Sequence, residues 1–188
     1  MGNRLTKVYT RTGDHGTTGL ADGSRVVKND PRVVCMGEVD ELNACIGVAL
    51  SLLDDGPIAQ ALFAVQHDLF DIGAELCQPG KQLITQDYVD GLEESADAFN
   101  ADLGELREFI LPGGSQAVAG LQLARTVCRR VERSLVNLND VATLNPLTCW
   151  YINRLSDLLF ILARAQSHLE GGGEVYWNSK YSRINRGK

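Results

Sequence analysis

Between Gly56-Pro57 and Pro79-Gly80, the residues Ile58, Leu62, Val65, Leu69, Ile72 and Leu76 recur at alternating steps of four and three. Only an α-helix brings side chains so spaced onto one face, because 3.6 residues complete a turn. The stripe is narrow, of the coiled-coil kind, and a single helix of this sort buries nothing by itself. The segment needs helical partners, and what supplies them decides the fold.

Four further segments supply them. Residues 37–53 carry Val39, Leu42, Ile46, Ala49 and Leu53 inward, and a weaker, more polar helix is expected over 85–102. After the Pro112-Gly113-Gly114 turn, Val118, Leu121, Ala124, Cys128, Val131 and Leu135 form one face of a helix ending near Asn137. Asn145-Pro146 makes a good N-cap and first helical position for a last helix that stops at Gly171-Gly172-Gly173. Its inward face is expected to hold Leu147, Tyr151, Leu155, Leu158, Leu162 and Leu169. Helices joined by short turns predict an all-α fold, a five-helix antiparallel bundle in one domain spanning 1–188. The bundle is expected over 37–170 and a tail over 171–188.

Residues 1–36 differ. They are rich in glycine and hydroxyl side chains, poor in large apolar ones, and lack a helical period. Lys7-Val8-Tyr9-Thr10 suits a short strand, but the segment cannot make its own core. An irregular N-terminal arm is expected, either a flexible tail or a limb ordered by a ligand or a neighbouring subunit.

Net charge over the 188 residues is −6, which repels nucleic acid and anionic membranes. Any site for a polyanion must then be a local cluster of cations. The cysteines number five, an odd count with no CxxC pair, and read as reduced thiols. No stretch is apolar enough to span a bilayer and no signal-peptide core is present. The expected location is the cytoplasm.

Two cation clusters exist. In Thr10-Arg11-Thr12-Gly13-Asp14-His15-Gly16-Thr17-Thr18-Gly19, glycines let backbone N–H groups converge on anionic oxygen, hydroxyls add donors, and Arg11 adds charge. Lys28 lies a short way downstream. This is not a P-loop, since no Lys-Ser or Lys-Thr follows the glycines, and composition alone fits a plain polar arm better. In the second cluster Arg125, Arg129 and Arg133 fall at i, i+4 and i+8 on one helix edge, with Arg130 and Glu132 alongside. A bound polyanion and a solvated basic face paired with carboxylates explain that row equally well. Asp40, Asn43, Asn153, Arg154, Asp157 and Arg164 stand near inward positions, where interhelical salt bridges are the ordinary explanation. A di-iron bundle requires Glu-x-x-His, but Ala64 precedes His67 and Ala165 precedes His168 at that spacing. No nucleophile–base pair is evident either.

TRTGDHGTTGL (10–20), VDELNACIG (39–47), FILPGG (109–114), ARTVCRRVER (124–133) and NRLSDLLFILAR (153–164), in this order, resemble the PduO-type ATP:cob(I)alamin adenosyltransferases. The resemblance covers nearly the whole chain. It implies a five-helix bundle assembled as a homotrimer with sites between subunits, the N-terminal arm closing over ATP. It assigns ATP to Thr10, Arg11, Thr12, Gly13, Thr18, Gly19 and Lys28, and to Arg129, Arg130, Glu132, Arg133 and Asn153. Gly19 stands where many members carry serine, so only its backbone can contribute. Asp40 is similar to the family's aspartate that pairs with an arginine matching Arg125, and Phe109 to the aromatic residue under the corrin ring. Asp40, Phe109 and Arg125 are thus the corrin-side residues, and with Arg129 the catalytic set.

The implied reaction needs no protein base. Cob(I)alamin is the nucleophile, its cobalt attacks the 5′ carbon of ATP, and triphosphate leaves. Mg²⁺ is expected on phosphate oxygens and water rather than on protein side chains. A reductase and an adenosylcobalamin-dependent enzyme are the expected partners. The rival is a non-catalytic carrier or sensor of ATP and cobalamin.

Overall fold

The computed structural model describes residues 9–106 and 108–178. Lys7 and Val8 of the expected strand, and 179–188 of the tail, lie outside the described residues. Two short strands, β1 (Thr17–Gly19) and β2 (Arg25–Val27), precede five helices: α1 (Pro31–Leu50), α2 (Pro57–Leu76), α3 (Gln86–Asn100), α4 (Gln116–Asn139) and α5 (Pro146–Leu169).

The stripe on α2 is buried as its spacing demands, and Leu62, Leu69 and Ile72 meet Leu42, Ile46, Leu121, Leu135, Tyr151 and Leu159 in one core. Helix α4 packs between α1 and α5, while α2 lies on α1 and α3 on α5. Cys35 and Cys128 are buried and all five cysteines are free thiols. Burial pushes the Cys35 thiol up to about 12, with Glu38 adding to it.

Three expectations about the chain's course change. Helix α1 begins at Pro31 rather than at 37, so the arm is shorter than residues 1–36. The Asp30 side chain accepts from Arg32 N and Pro31 occupies the first turn, a start signal as good as Asn145-Pro146. Within the described part of the arm, expected to be irregular, β1 and β2 form an antiparallel hairpin with Thr17 opposite Val27 and Gly19 opposite Arg25. Asp22-Gly23 makes its turn, with Gly23 at φ 86° and the Asp22 carboxylate accepting from Ser24 N and Oγ. Leu169 is 76% exposed, at the edge of an open groove lined by residues 54–58, Phe99 and Leu103 rather than under a packed helix.

The hairpin is fastened to the end of α2. Ala21 N donates to Cys77 O at 3.0 Å and the buried Arg32 guanidinium donates to Leu76 O at 2.8 Å. A cation there also meets the negative end of the helix dipole. One residue back from Leu76, the buried Glu75 carboxylate accepts from Leu83 N (2.6 Å), Ile84 N (2.9 Å), Asn145 Nδ2 (3.1 Å) and the Thr148 hydroxyl. It ties the α2–α3 connection to the start of α5.

Candidate functional site

The hairpin register gathers the first cation cluster. Lys28 follows β2 and its N–H donates to Gly16 O at 2.8 Å, which returns its side chain over the turn before β1. A Cβ on Gly13 would stand 3.1 Å from Lys28 Nζ and 3.2 Å from Thr17 O. Gly13 is therefore the close approach that lets the ammonium sit over the loop. Thr10 and Thr12 hydroxyls lie 2.9 Å apart, and Arg11 takes a left-handed backbone at φ 62°, its guanidinium over the Tyr9 ring. Thr18 pairs with Val26 inside the hairpin. Arg25, which spacing did not single out, donates through Nη2 to Thr12 O and Thr17 Oγ1, both at 2.7 Å. The signal was Asp22-Gly23, a strong hairpin dipeptide that places Arg25 opposite the loop.

The second cluster divides along α4. Arg130 is engaged: its guanidinium pairs with Glu41 and lies 3.9 Å from Glu38, both on α1. The Glu41 bond raises its already high pKa. Arg133 Nη1 donates to Arg129 O at 2.8 Å. The exposed Arg129 guanidinium has no hydrogen bond or ion pair among the described residues. Glu132 accepts from Asn153 Nδ2 at 2.8 Å, and Asn153 Oδ1 accepts from Arg154 Nη1 at 3.1 Å. Arg154 also pairs with Glu93 at 3.0 Å, an interhelical bridge as expected.

Around the expected corrin-side residues, Phe109, Leu106, Glu108, Ile110, Gln122, Arg125 and Phe160 line an open groove of about 510 Å³. Phe109 is 75% exposed, so it does not serve as a buried staple at the entry of α4. Arg125 is half-buried, donates Nε to Gln122 Oε1 at 2.7 Å and lies over the Phe160 ring. Burial lowers its pKa, helped by Arg129. Phe160 was not anticipated, since a Phe beside an apolar helix face reads as core. Asp40 is exposed on α1 and makes no ion pair with Arg125 in this chain. No hydrogen bond or ion pair among the described residues joins the hairpin to the arginine row.

A family model described as cobalamin adenosyltransferase matches residues 8–166. The chain belongs to the cobalamin adenosyltransferase family. Every candidate site residue of this adenosyltransferase, from Thr10 to Asn153, falls inside that match. The cobalamin adenosyltransferase of Cupriavidus metallidurans is 52% identical over 94% of this chain and 97% of its own length. The corrinoid adenosyltransferase of Mycobacterium tuberculosis is 48% identical over 94% and 95%. Among solved structures, a variant PduO-type ATP:corrinoid adenosyltransferase from Lactobacillus reuteri, complexed with cobalamin and ATP, superposes with a TM-score of 0.87. It is 36% identical and covers 92% of this chain and 100% of that one.

Proposed function

We propose that this adenosyltransferase transfers the 5′-deoxyadenosyl group of ATP to the cobalt of cob(I)alamin, releasing triphosphate. The observation that carries the reading is an exposed Phe109 in a groove beside Arg125, in a chain so similar to one complexed with cobalamin and ATP. The cobalt lone pair forms the Co–C5′ bond while the C5′–O bond breaks and its electrons leave with triphosphate. Cobalt is thereby oxidised from Co(I) to Co(III). Protein residues position the reactants and neutralise the leaving group. Lys28 over Gly13 and the unengaged Arg129 suit the phosphates, with Arg133 beside them. Thr10, Arg11, Thr12, Thr18 and Gly19 bind the rest of the nucleotide from the arm. The Glu132–Asn153 pair presents an acceptor and a donor from α4 and α5. Arg130 serves by bracing α4 on α1 as much as by direct contact.

We assign Mg²⁺ to phosphate oxygens and water, where it adds positive charge to the leaving group. Among the described residues no three His, Cys, Asp or Glu side chains gather as a metal-binding group.

Phe109 is read as an apolar wedge under the corrin, displacing the lower ligand so that cob(II)alamin becomes four-coordinate and accepts an electron more readily. That no hydrogen bond or ion pair among the described residues joins the hairpin to the arginine row, or Asp40 to Arg125, supports sites built between copies in a homotrimer. Asp40 of one copy then meets Arg125 of the next. Exchanging the charges (Asp40→Arg with Arg125→Asp) should restore a trimer that either single change weakens.

This chemistry calls for a reductase that supplies the electron and an adenosylcobalamin-dependent enzyme that takes the product. We place it in the cytoplasm; no helix among the described residues is long and apolar enough to cross a membrane. The deciding assay mixes the protein, ATP, Mg²⁺ and chemically reduced cobalamin and follows the spectrum. Appearance of the cobalt–carbon chromophore with stoichiometric triphosphate is expected. Binding of both ligands without that product would make the protein a carrier.

A further inference from the structure

Beyond the family match, residues 175–177 fold back beside Phe109 at the corrin-side groove. Residues 109–111 and 175–177 pair as a short antiparallel ladder: Trp177 N donates to Phe109 O at 2.6 Å, Leu111 N donates to Val175 O at 2.8 Å, and Ile110 faces Tyr176. The ladder is anchored at its start. Glu174 Oε1 accepts from Arg164 Nε at 2.5 Å with both side chains almost wholly buried, and Arg164 Nη2 donates to Gly104 O at 2.8 Å. One guanidinium thus holds the tail and the loop that leads to Phe109. At the other end the Trp177 indole meets the Phe109 ring edge-to-face, with centroids 6.2 Å apart and planes at 66°.

An aromatic ring that is 75% exposed has little to keep it in one rotamer, and a wedge works only in one. Two-point attachment by backbone hydrogen bond and ring edge supplies the constraint that burial does not. We propose that Trp177 is a positioning residue for Phe109: its indole backs the ring and sets the angle presented to the corrin, with the Arg164–Glu174 pair holding the tail in place. The inference rests on the wedge reading of Phe109, and the test separates the two.

The measurement is the fraction of bound cob(II)alamin in the four-coordinate state, read by magnetic circular dichroism on the full chain with ATP and Mg²⁺. Phe109→Ala is the reference. Trp177→Ala should lower the four-coordinate to five-coordinate ratio by roughly two- to tenfold, the worth of one aromatic pair. Trp177→Phe should restore most of it. ATP affinity, and turnover with chemically pre-reduced cobalamin, should stay near wild type, which a general loss of structure would not allow. Trp177→Leu keeps apolar bulk without a ring and should lower the ratio as Trp177→Ala does while melting normally. A folded Trp177→Ala or Trp177→Leu with the wild-type fraction, beside a Phe109→Ala that has lost it, overturns the inference and leaves the wedge standing. If Phe109→Ala itself keeps the fraction, the wedge reading fails and this inference falls with it.

Discussion

Replacing Arg25 with Ala tests whether the nucleotide loop is held ready before ATP arrives. Arg25 Nη2 spans two acceptors, Thr12 O and Thr17 Oγ1, each at 2.7 Å. A hydrogen bond from a charged donor is worth about 1.5–3 kcal/mol, and exposure to water and salt reduces that substantially. Taking about 1–2 kcal/mol for the pair, the truncated loop must be ordered by ATP itself, and affinity falls by roughly 5- to 30-fold. Arg25 touches the loop and not the cobalt, so kcat at saturating ATP should hold while KM for ATP rises. Arg25→Lys should rescue poorly, since its ammonium ends one bond short of Nη2, the single atom that reaches both acceptors. The assay is initial-rate formation of the cobalt–carbon chromophore against ATP concentration, with pre-reduced cobalamin in excess. An unchanged KM for ATP in Arg25→Ala, or a loss confined to kcat, refutes the reasoning.

Arg129→Ala should lower kcat/KM for ATP by roughly 10- to 150-fold, the worth of one charge-assisted contact. Its melting temperature should not move, because that guanidinium has no hydrogen bond or ion pair among the described residues; a matching fall in stability would count against the assignment. Glu75→Ala strands the Leu83 and Ile84 N–H groups and the Thr148 hydroxyl, a loss of about 4 kcal/mol. Calorimetry should then show a melting temperature about 8–16 °C lower, and a shift within a couple of degrees would contradict the hub. Burial raises the pKa of Asp68, opposed in part by the Tyr151 hydroxyl that it accepts. The folded chain therefore holds this proton more tightly than the unfolded one, and Asp68's contribution to stability falls as pH rises through its folded pKa. The stability of Asp68→Asn relative to wild type should accordingly grow as pH rises above the ordinary carboxylate range of about 4. A pH-independent difference in urea titrations would disprove that sign.

Much of this protein was legible before any coordinates. The stripe on α2, the Pro112-Gly113-Gly114 turn and the Asn145-Pro146 cap are local signals, and the helices stand where they predicted. What was missed was also local in part. Asp30-Pro31 and Asp22-Gly23 carry their geometry in two residues each, but both lie in a stretch without hydrophobic period. The error at Leu169 had another source. Its spacing continues the α5 stripe, yet at that turn it faces an open groove between the α1–α2 connection and the end of α3 rather than a packed helix.

The sequence by itself determined which residues can carry charge and which faces must be buried, because both follow from side-chain chemistry and a 3.6-residue turn. Only the tertiary structure decided which of those charges remain free. Arg129 and Arg130 are neighbours on one helix, indistinguishable by composition. Packing α1 against α4 brings Glu41 to Arg130 across 89 residues of sequence and leaves Arg129 unengaged among the described residues. Phe109 follows the same logic. An aromatic residue at the end of a charged connection is ambiguous between core and site, and it becomes an exposed ring because residues 175–177 pair beside it rather than over it. Such pairings join distant segments of the chain, and no local period encodes them.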